Sequence, residues 1–335
     1  MRTMYDIPYH KKDLSKFKFL VTGGAGFIGS NLVQYLLKYK AGKVCVLDNF
    51  STGFRHNLAP FADNPAFELI EGDIRNPDTC RLAVDGIDYV SHQAALGSVP
   101  RSIKNPVTTN DVNISGFLNM LCAVKDSGSV KRFIYASSSS VYGNSPELPK
   151  IESRTGALLS PYALTKQVAE LYAGVFSRVY GLESIGLRYF NVFGPGQSPE
   201  GQYAAVIPLF LKAVHEDQPA SIFGTGEQTR DFTFVENAVQ ANIRAFFAES
   251  PEAVNQVYNI AGGERISLNE LWQIVNENSG KEIAAEYKNP RAGDIMNSLA
   301  DISKAKHLLG YDSIIGFKEG LKITFAQFRD NFVKG

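Results

Sequence analysis

The stretch Lys18-Phe-Leu-Val-Thr22-Gly23-Gly24-Ala25-Gly26-Phe27-Ile28-Gly29 decides the fold. Lys18 to Thr22 reads as a short buried strand, Gly23 to Gly29 as a glycine-rich turn, and Ser30 to Lys40 as a helix. The turn satisfies Gly-x-Gly-x-x-Gly from Gly24 and Gly-x-x-Gly-x-x-Gly from Gly23. Such glycines permit a tight turn and bring backbone N–H groups close to a pyrophosphate at a helix N-terminus. Asp48 follows Gly29 by 19 residues, at the end of the next apolar run, Val44 to Asp48. An acid there accepts from both ribose hydroxyls and repels a 2′-phosphate, so the spacing predicts NAD rather than NADP.

Further strands are expected at Phe67–Ile70, with Gly72-Asp73-Ile74 just beyond, and at Tyr89–His92, Arg132–Ala136 and Ser184–Arg188. Long helices are expected over 106–127 and 161–180. Strands alternating with helices predict an α/β fold, a doubly wound parallel sheet. After Asn191 the texture changes, and 194–202 is rich in Gly, Pro and polar residues. The reading is a dinucleotide domain over 17–190 with returns at about 231–261. A smaller C-terminal α/β substrate lobe takes 191–230 and 262–335, and 1–16 form an N-terminal arm.

The chain has 335 residues, 44% of them hydrophobic, and its 34 basic residues balance 34 acidic ones. A neutral chain has no bulk attraction for nucleic acid or an anionic membrane, so an anionic ligand must be held by local groups. No run reaches the ~18 apolar residues of a membrane span, and the polar N-terminus lacks a signal-peptide core. Cys45, Cys80 and Cys122 are odd in number and widely spaced, which predicts small buried hydrophobes in a reducing compartment. The histidines have no metal-ligand spacing, and no metal site is expected. A soluble cytoplasmic protein is the expectation.

Tyr162 and Lys166, in Ser160-Pro-Tyr-Ala-Leu-Thr-Lys166, lie one helical turn apart on one face. Alone, Tyr-x-x-x-Lys also describes a surface helix with a snorkelling lysine. Beside a nicotinamide it becomes a candidate general base, because a nearby cation favours the phenolate and lowers its pKa.

Together with the glycine loop, further segments carry a resemblance: Gly72-Asp-Ile74, His92-Gln-Ala-Ala95, Ser137-Ser-Ser-Ser-Val-Tyr-Gly143, Arg188-Tyr-Phe-Asn-Val-Phe-Gly194, Gly226-Glu-Gln-Thr-Arg-Asp231 and Pro290-Arg-Ala-Gly-Asp294. From about Lys18 to the C-terminus the chain resembles the extended short-chain dehydrogenase/reductases, in their UDP-hexose 4-epimerase branch. Leu96-Gly-Ser-Val-Pro-Arg-Ser102 and the arm look most like bacterial enzymes acting on N-acetylated UDP-sugars for surface polysaccharides. The resemblance implies a Rossmann fold, with Tyr162 as base, Lys166 as its tuner and nicotinamide-ribose ligand, and Ser138 bridging the substrate 4-hydroxyl and the tyrosine. It implies NAD contacts at Gly23, Gly26, Phe27, Ile28, Gly29, Asp48, Asn49, Gly53, Asp73, Ile74, Gln93, Ala94, Ala95, Asn113 and Tyr189. UDP-sugar contacts would come from Gly97, Ser98, Ser139, Ser140, Asn191, Ala205, Val206, Phe223, Arg230, Arg291, Asp294 and Ser298. Paired arginines suit the diphosphate, because guanidinium binds phosphate oxygens bidentately. By analogy with the superfamily, the helix near 106–124 and the Tyr162 helix would form a homodimer contact.

The related sugar-nucleotide 4,6-dehydratases place Asp-Glu just after the catalytic serine or threonine. Ser139 and Ser140 stand there in this chain, which disfavours elimination. Intact Ser138, Tyr162 and Lys166 disfavour a non-catalytic NAD-binding regulator. In the family one wall position, Ser298 in this chain, is either bulky or small; small Ser298, Gly97 and Ala205 leave room for a 2-N-acetyl group. The expected reaction is reversible C4 epimerisation of UDP-GlcNAc and UDP-GalNAc. The alternatives are UDP-glucose/UDP-galactose or a UDP-N-acetylhexosaminuronic acid.

Overall fold

A computed structural model describes residues 4–200, 204–290 and 296–333. Seven parallel strands form the central sheet: β1 (Lys18–Thr22), β2 (Lys43–Asp48), β3 (Phe67–Glu71), β4 (Tyr89–His92), β5 (Arg132–Ser138), β6 (Ser184–Tyr189) and β7 (Gln256–Ile260). Their order is β7-β6-β5-β4-β1-β2-β3. The chain winds outward from β1 through β2 and β3, then crosses to β4 on the other side. The switch between β1 and β4 opens a crevice beyond their C-terminal ends, where doubly wound sheets bind ligands.

Alternation along the strands loads both faces of the sheet. Phe19, Val21, Val44, Val46, Ile134 and Ile185 pack with α1 (Phe27–Lys38) and with the helix Val235–Phe246. Leu20, Cys45, Leu47, Val90 and Phe133 pack with α2 (Pro77–Val84), α3 (Gly116–Ser127) and α4 (Pro161–Tyr180). Cys45 and Cys80 are buried, and burial pushes both thiols up to about 12.

The second lobe has its own core, including Phe210, Ile222, Phe232, Leu271, Trp272 and Phe317. It is laced by short pairings, Ser221–Phe223 with Glu286–Lys288 and Thr229–Arg230 with Ile266–Ser267. The arm is anchored. Tyr5 and Tyr9 are buried, and both donate to the Glu236 carboxylate, Tyr5 through its N–H and Tyr9 through its hydroxyl. The Tyr5 hydroxyl donates to Asn31 Oδ1 on α1 at 2.9 Å. Among the described residues no helix is long and apolar enough to cross a membrane.

Two elements differ from the sequence reading. Helix α1 starts at Phe27 rather than Ser30, so the last glycine-loop residues are themselves the first helical turn. The expected single helix over 106–127 is broken. A short helix Pro106–Asn110 leads into a π-helical turn, Asp111–Ser115, before α3. The extra residue in the turn carries the Asn113 side chain inward, where its Oδ1 accepts from Leu96 N–H at 2.7 Å and its Nδ2 donates to Leu96 O and Thr165 Oγ1.

Candidate active site

A cavity of about 420 Å³ lies at the switch point, lined along one wall by Gly23, Gly26–Gly29, Asp48, Asn49, Gly53, Asp73 and Ile74. Gly23 has φ +68, and a Cβ there would stand 2.7 Å from Ala94 N; one on Gly29 would stand 2.2 Å from Gly23 O. Neither position can carry a side chain without moving backbone. Gly26 caps α1 with no side-chain hydrogen bond, so the helix N-terminus faces the cavity uncapped. The Asp48 carboxylate holds the loop, Oδ2 accepting from Ala25 N–H at 2.9 Å and Oδ1 from Phe50 N–H at 2.8 Å. A carboxylate has about four acceptor positions, so capacity remains for hydroxyls. Asp73 is gripped by the Arg75 guanidinium and by Asn49 Nδ2, and the Arg75 hydrogen bond is the first cause holding it at about 2. An uncapped helix N-terminus, a side-chain-free turn and a buried acid together fit a dinucleotide.

The opposite wall is made by Gln93, Ala94, Ala95, Ser138, Tyr162, Lys166, Tyr189 and Asn191. Ser160 caps α4, its Oγ accepting from Ala163 N–H at 3.1 Å, and Pro161 opens the first turn. Tyr162 therefore sits at the mouth end of α4 and meets Ser138 from the end of β5. Ser138 lies near enough to the Tyr162 hydroxyl to oppose the rise in its pKa, and its Oγ accepts from Ser140 N–H at 3.1 Å. Ser140 Oγ is buried without a hydrogen-bond partner among the described residues. Gln93 Nε2 reaches Ser91, Tyr189 and Asn242, and Asn242 Nδ2 donates to Tyr189 OH at 2.7 Å.

The expected lowering of the Tyr162 pKa by Lys166 is not found in the protein alone. Burial raises the phenol, opposed only by Ser138. The Lys166 ammonium donates instead to Ala136 O and stands 5.9 Å from the tyrosine ring centroid. Burial pulls Lys166 down to about 8, against the raising influence of Glu170. Desolvation dominates both groups because each loses water and neither has the other as a direct partner. His92, at the end of β4, packs against Phe117 and Phe133, and burial pushes it down to about 3.

The structure brings the dinucleotide residues and Gly97, Ser138, Tyr162 and Asn191 to one cavity. Asn113 is not in its lining and acts behind it through Leu96. Ser98 caps the helix Val99–Lys104 beside Gly97, and Ser139 and Ser140 begin the turn after β5. Ala205, Val206, Phe223, Arg230 and Ser298 stand in the second lobe, outside the lining of this cavity. Ser298 is 9% exposed, and its N–H donates to Thr229 O at 3.1 Å. Asn191 turns the chain into that lobe with φ +33, its Nδ2 donating to Asp231 O. Arg291 and Asp294 lie outside the described residues. Sequence reading missed Ser51, Thr52, Leu96, Val112 and Val192 in the lining. It also missed Glu170, whose one signal was its place a turn beyond Lys166.

The comparisons agree with this geometry. A putative UDP-glucose 4-epimerase of Methanocaldococcus jannaschii is 38% identical over 93% of this chain and 98% of its own length. A UDP-N-acetylglucosamine 4-epimerase of Methanobrevibacter ruminantium, solved with UDP-N-acetylmuramic acid, superposes with a TM-score of 0.88 at 38% identity, covering 94% of this chain and 99% of that one. A UDP-glucuronic acid 4-epimerase of Bacillus cereus, solved with UDP-glucuronic acid and NAD, gives 0.87 at 32% identity, covering 94% and 99%. The family model matches residues 19–261, over the glycine loop, Ser138, Tyr162 and Lys166, and the chain belongs to the NAD dependent epimerase/dehydratase family.

Proposed function

We propose that the protein is an NAD-dependent UDP-sugar 4-epimerase that interconverts UDP-GlcNAc and UDP-GalNAc. The observation that carries the reaction type is the Ser138–Tyr162 contact in a cavity whose acids, among the described residues, are Asp48 and Asp73 at the glycine-loop end. With serines at 139 and 140 and no carboxylate beside Ser138 in the described lining, the site has one base and no second acid for elimination. NAD, when bound, supplies the hydride acceptor and donor for C4. Ser138 holds the sugar 4-hydroxyl, and Tyr162 takes its proton. The Lys166 charge favours the phenolate. Tyr162 returns the proton once the 4-keto sugar has presented its other face. The diphosphate is assigned to Arg230 and Arg291, with Asn191, Phe223 and Asp294 around the nucleotide.

Support for an acetylated sugar comes from small Gly97, Ala205 and Ser298. Nothing lies within 4 Å of where a Cβ on Gly97 would be. The methanogen relative named for UDP-N-acetylglucosamine points the same way. A uronate is the second reading, on the B. cereus relative, but among the described residues Lys166 is the one cation in the cavity lining. The enzyme would act in the cytoplasm, in polysaccharide synthesis, as a homodimer through α4 and the helical stretch 106–124. Purified protein is to be incubated with UDP-GlcNAc, UDP-glucose and UDP-glucuronic acid, and products separated by anion-exchange chromatography. Fastest turnover of UDP-GlcNAc is expected; turnover confined to either other sugar would overturn the substrate assignment.

A further inference from the structure

Behind the reacting pair lies a buried polar network that the mechanism above does not use. Glu170 is one turn beyond Lys166 on α4, and its side chain is 11% exposed. Its Oε1 accepts from Ser137 Oγ at 2.5 Å and from Arg188 Nε at 2.8 Å, and its Oε2 accepts from Arg188 Nη2 at 2.7 Å. Arg188, on β6, is only 5% exposed, and its Nη1 continues to Tyr142 OH and Glu152 O. Tyr142 in turn donates to Asn259 Oδ1 on β7 at 2.6 Å. The Glu170 carboxylate is thus fixed directly from β5 and β6, with β7 reached behind Arg188 through Tyr142.

Two of its neighbours belong to the site. Ser137 precedes Ser138 on β5, and Lys166 shares the inner face of α4. The other groups facing Lys166 are Tyr162 on its own helix, the carbonyl of Ala136, and His92 on β4, which burial keeps neutral. Glu170 is the anion that acts on the lysine, and Arg188 reaches it only through that carboxylate.

We infer that Glu170 is a positioning residue for the reaction: its carboxylate keeps Lys166 charged and fixes Ser137 behind the serine that contacts Tyr162. The inference rests on the reading of Tyr162 and Lys166 as the reacting pair, not on which sugar is used. Its sign is definite. The ammonium exists below its pKa and is lost as pH rises through it. Burial already draws Lys166 down to about 8, so removing the carboxylate moves that loss toward neutral pH.

The test is the Lys166 titration in protein labelled with ¹³C at lysine Cε, assigned with Lys166→Arg, which needs no substrate. In Glu170→Gln the midpoint is expected to fall by about one pH unit. In Glu170→Asp, which keeps the charge but withdraws it by one methylene, the midpoint should lie between Gln and wild type. The alkaline limb of the kcat/KM profile should follow the same order. Ser137→Ala should lower kcat at every pH and leave the midpoint in place. An unmoved midpoint in Glu170→Gln, or equal midpoints in the Gln and Asp variants, overturns the inference. Where Glu170→Gln fails to fold, Glu170→Asp alone decides, and an unmoved midpoint there overturns it equally.

Discussion

The Lys166 ammonium is tied to the Ala136 carbonyl at 2.7 Å, 5.9 Å from the centre of the Tyr162 ring. The lysine is therefore held by β5, the strand that also ends in Ser138, and its charge is placed by the sheet rather than by the tyrosine. In the proposed mechanism the pair would offer charge near the phenol rather than a hydrogen bond to it.

Tyr162→Phe removes only the buried hydroxyl near Ser138. Losing one such polar group costs about 1 kcal/mol, so the melting temperature should move by only a few degrees. Turnover should fall by a factor of roughly 10²–10⁴, the usual weight of a general base. Near-normal kcat in a folded Phe variant removes Tyr162 from the chemistry.

Ser298 is nearly buried, its backbone pinned to Thr229. If Ser298 is the wall residue proposed above, a tyrosine there fills the sugar side. Ser298→Tyr is expected to abolish UDP-GlcNAc turnover while leaving UDP-glucose turnover, with an overpacking cost of about 1–3 kcal/mol in stability. Survival of acetylated turnover in this variant places the gate elsewhere.

His92 is buried and uncharged, with Nδ1 2.9 Å from Thr22 Oγ1. Its pKa is lowered from 6.5 to about 3 by burial. A depressed folded pKa gives stability that is present above the unfolded value and lost as pH falls toward the folded one. Between pH 6.5 and 5 the wild type should therefore lose about 2 kcal/mol from this group. Urea unfolding at these two pH values in wild type and His92→Asn measures the difference. An equal loss in both proteins assigns the acid sensitivity to other groups.

Leu164, Leu171, Val175 and Val179 follow one another at helical spacing along α4, and all are exposed, Leu171 and Val179 by more than 60%. Val107, before the π-helical turn, is 70% exposed. An apolar stripe of this length is costly to leave in water. Leu171→Glu is expected to halve the mass seen by light scattering. A wild-type protein that is already monomeric contradicts the assigned contact.

The part of the fold legible in the sequence was the part fixed by local chemistry. The glycine turn, Asp48 at the end of β2, and the α4 helix that opens at Pro161 and ends at Tyr180 all follow from side chains near in sequence. The start of α1 was misplaced by three residues because Gly26 caps it without a side chain, leaving no cap residue to read. The π-helical turn could not be read, since its cause is a pairing of Asn113 with Leu96 and Thr165 across space. The direction of the Tyr162 shift was misread for the same reason. Four-residue spacing places Lys166 on the right face, but only the fold reveals the Ala136 carbonyl and the depth of burial. Glu170 was equally hidden, because Arg188 arrives on another strand.

Strand β7 pairs with β6, yet the chain leaves the sheet after Tyr189 and regains it only at Gln256. On the ribosome the dinucleotide half must therefore wait, with the outer edge of β6 bare, while the first part of the second lobe and the helix Val235–Phe246 are made. An uncovered strand edge is a template for foreign strands. Slow elongation through 190–255 thus prolongs the interval in which the nascent chain is most prone to misassembly, and a fragment stopping near Tyr189 would carry that edge permanently.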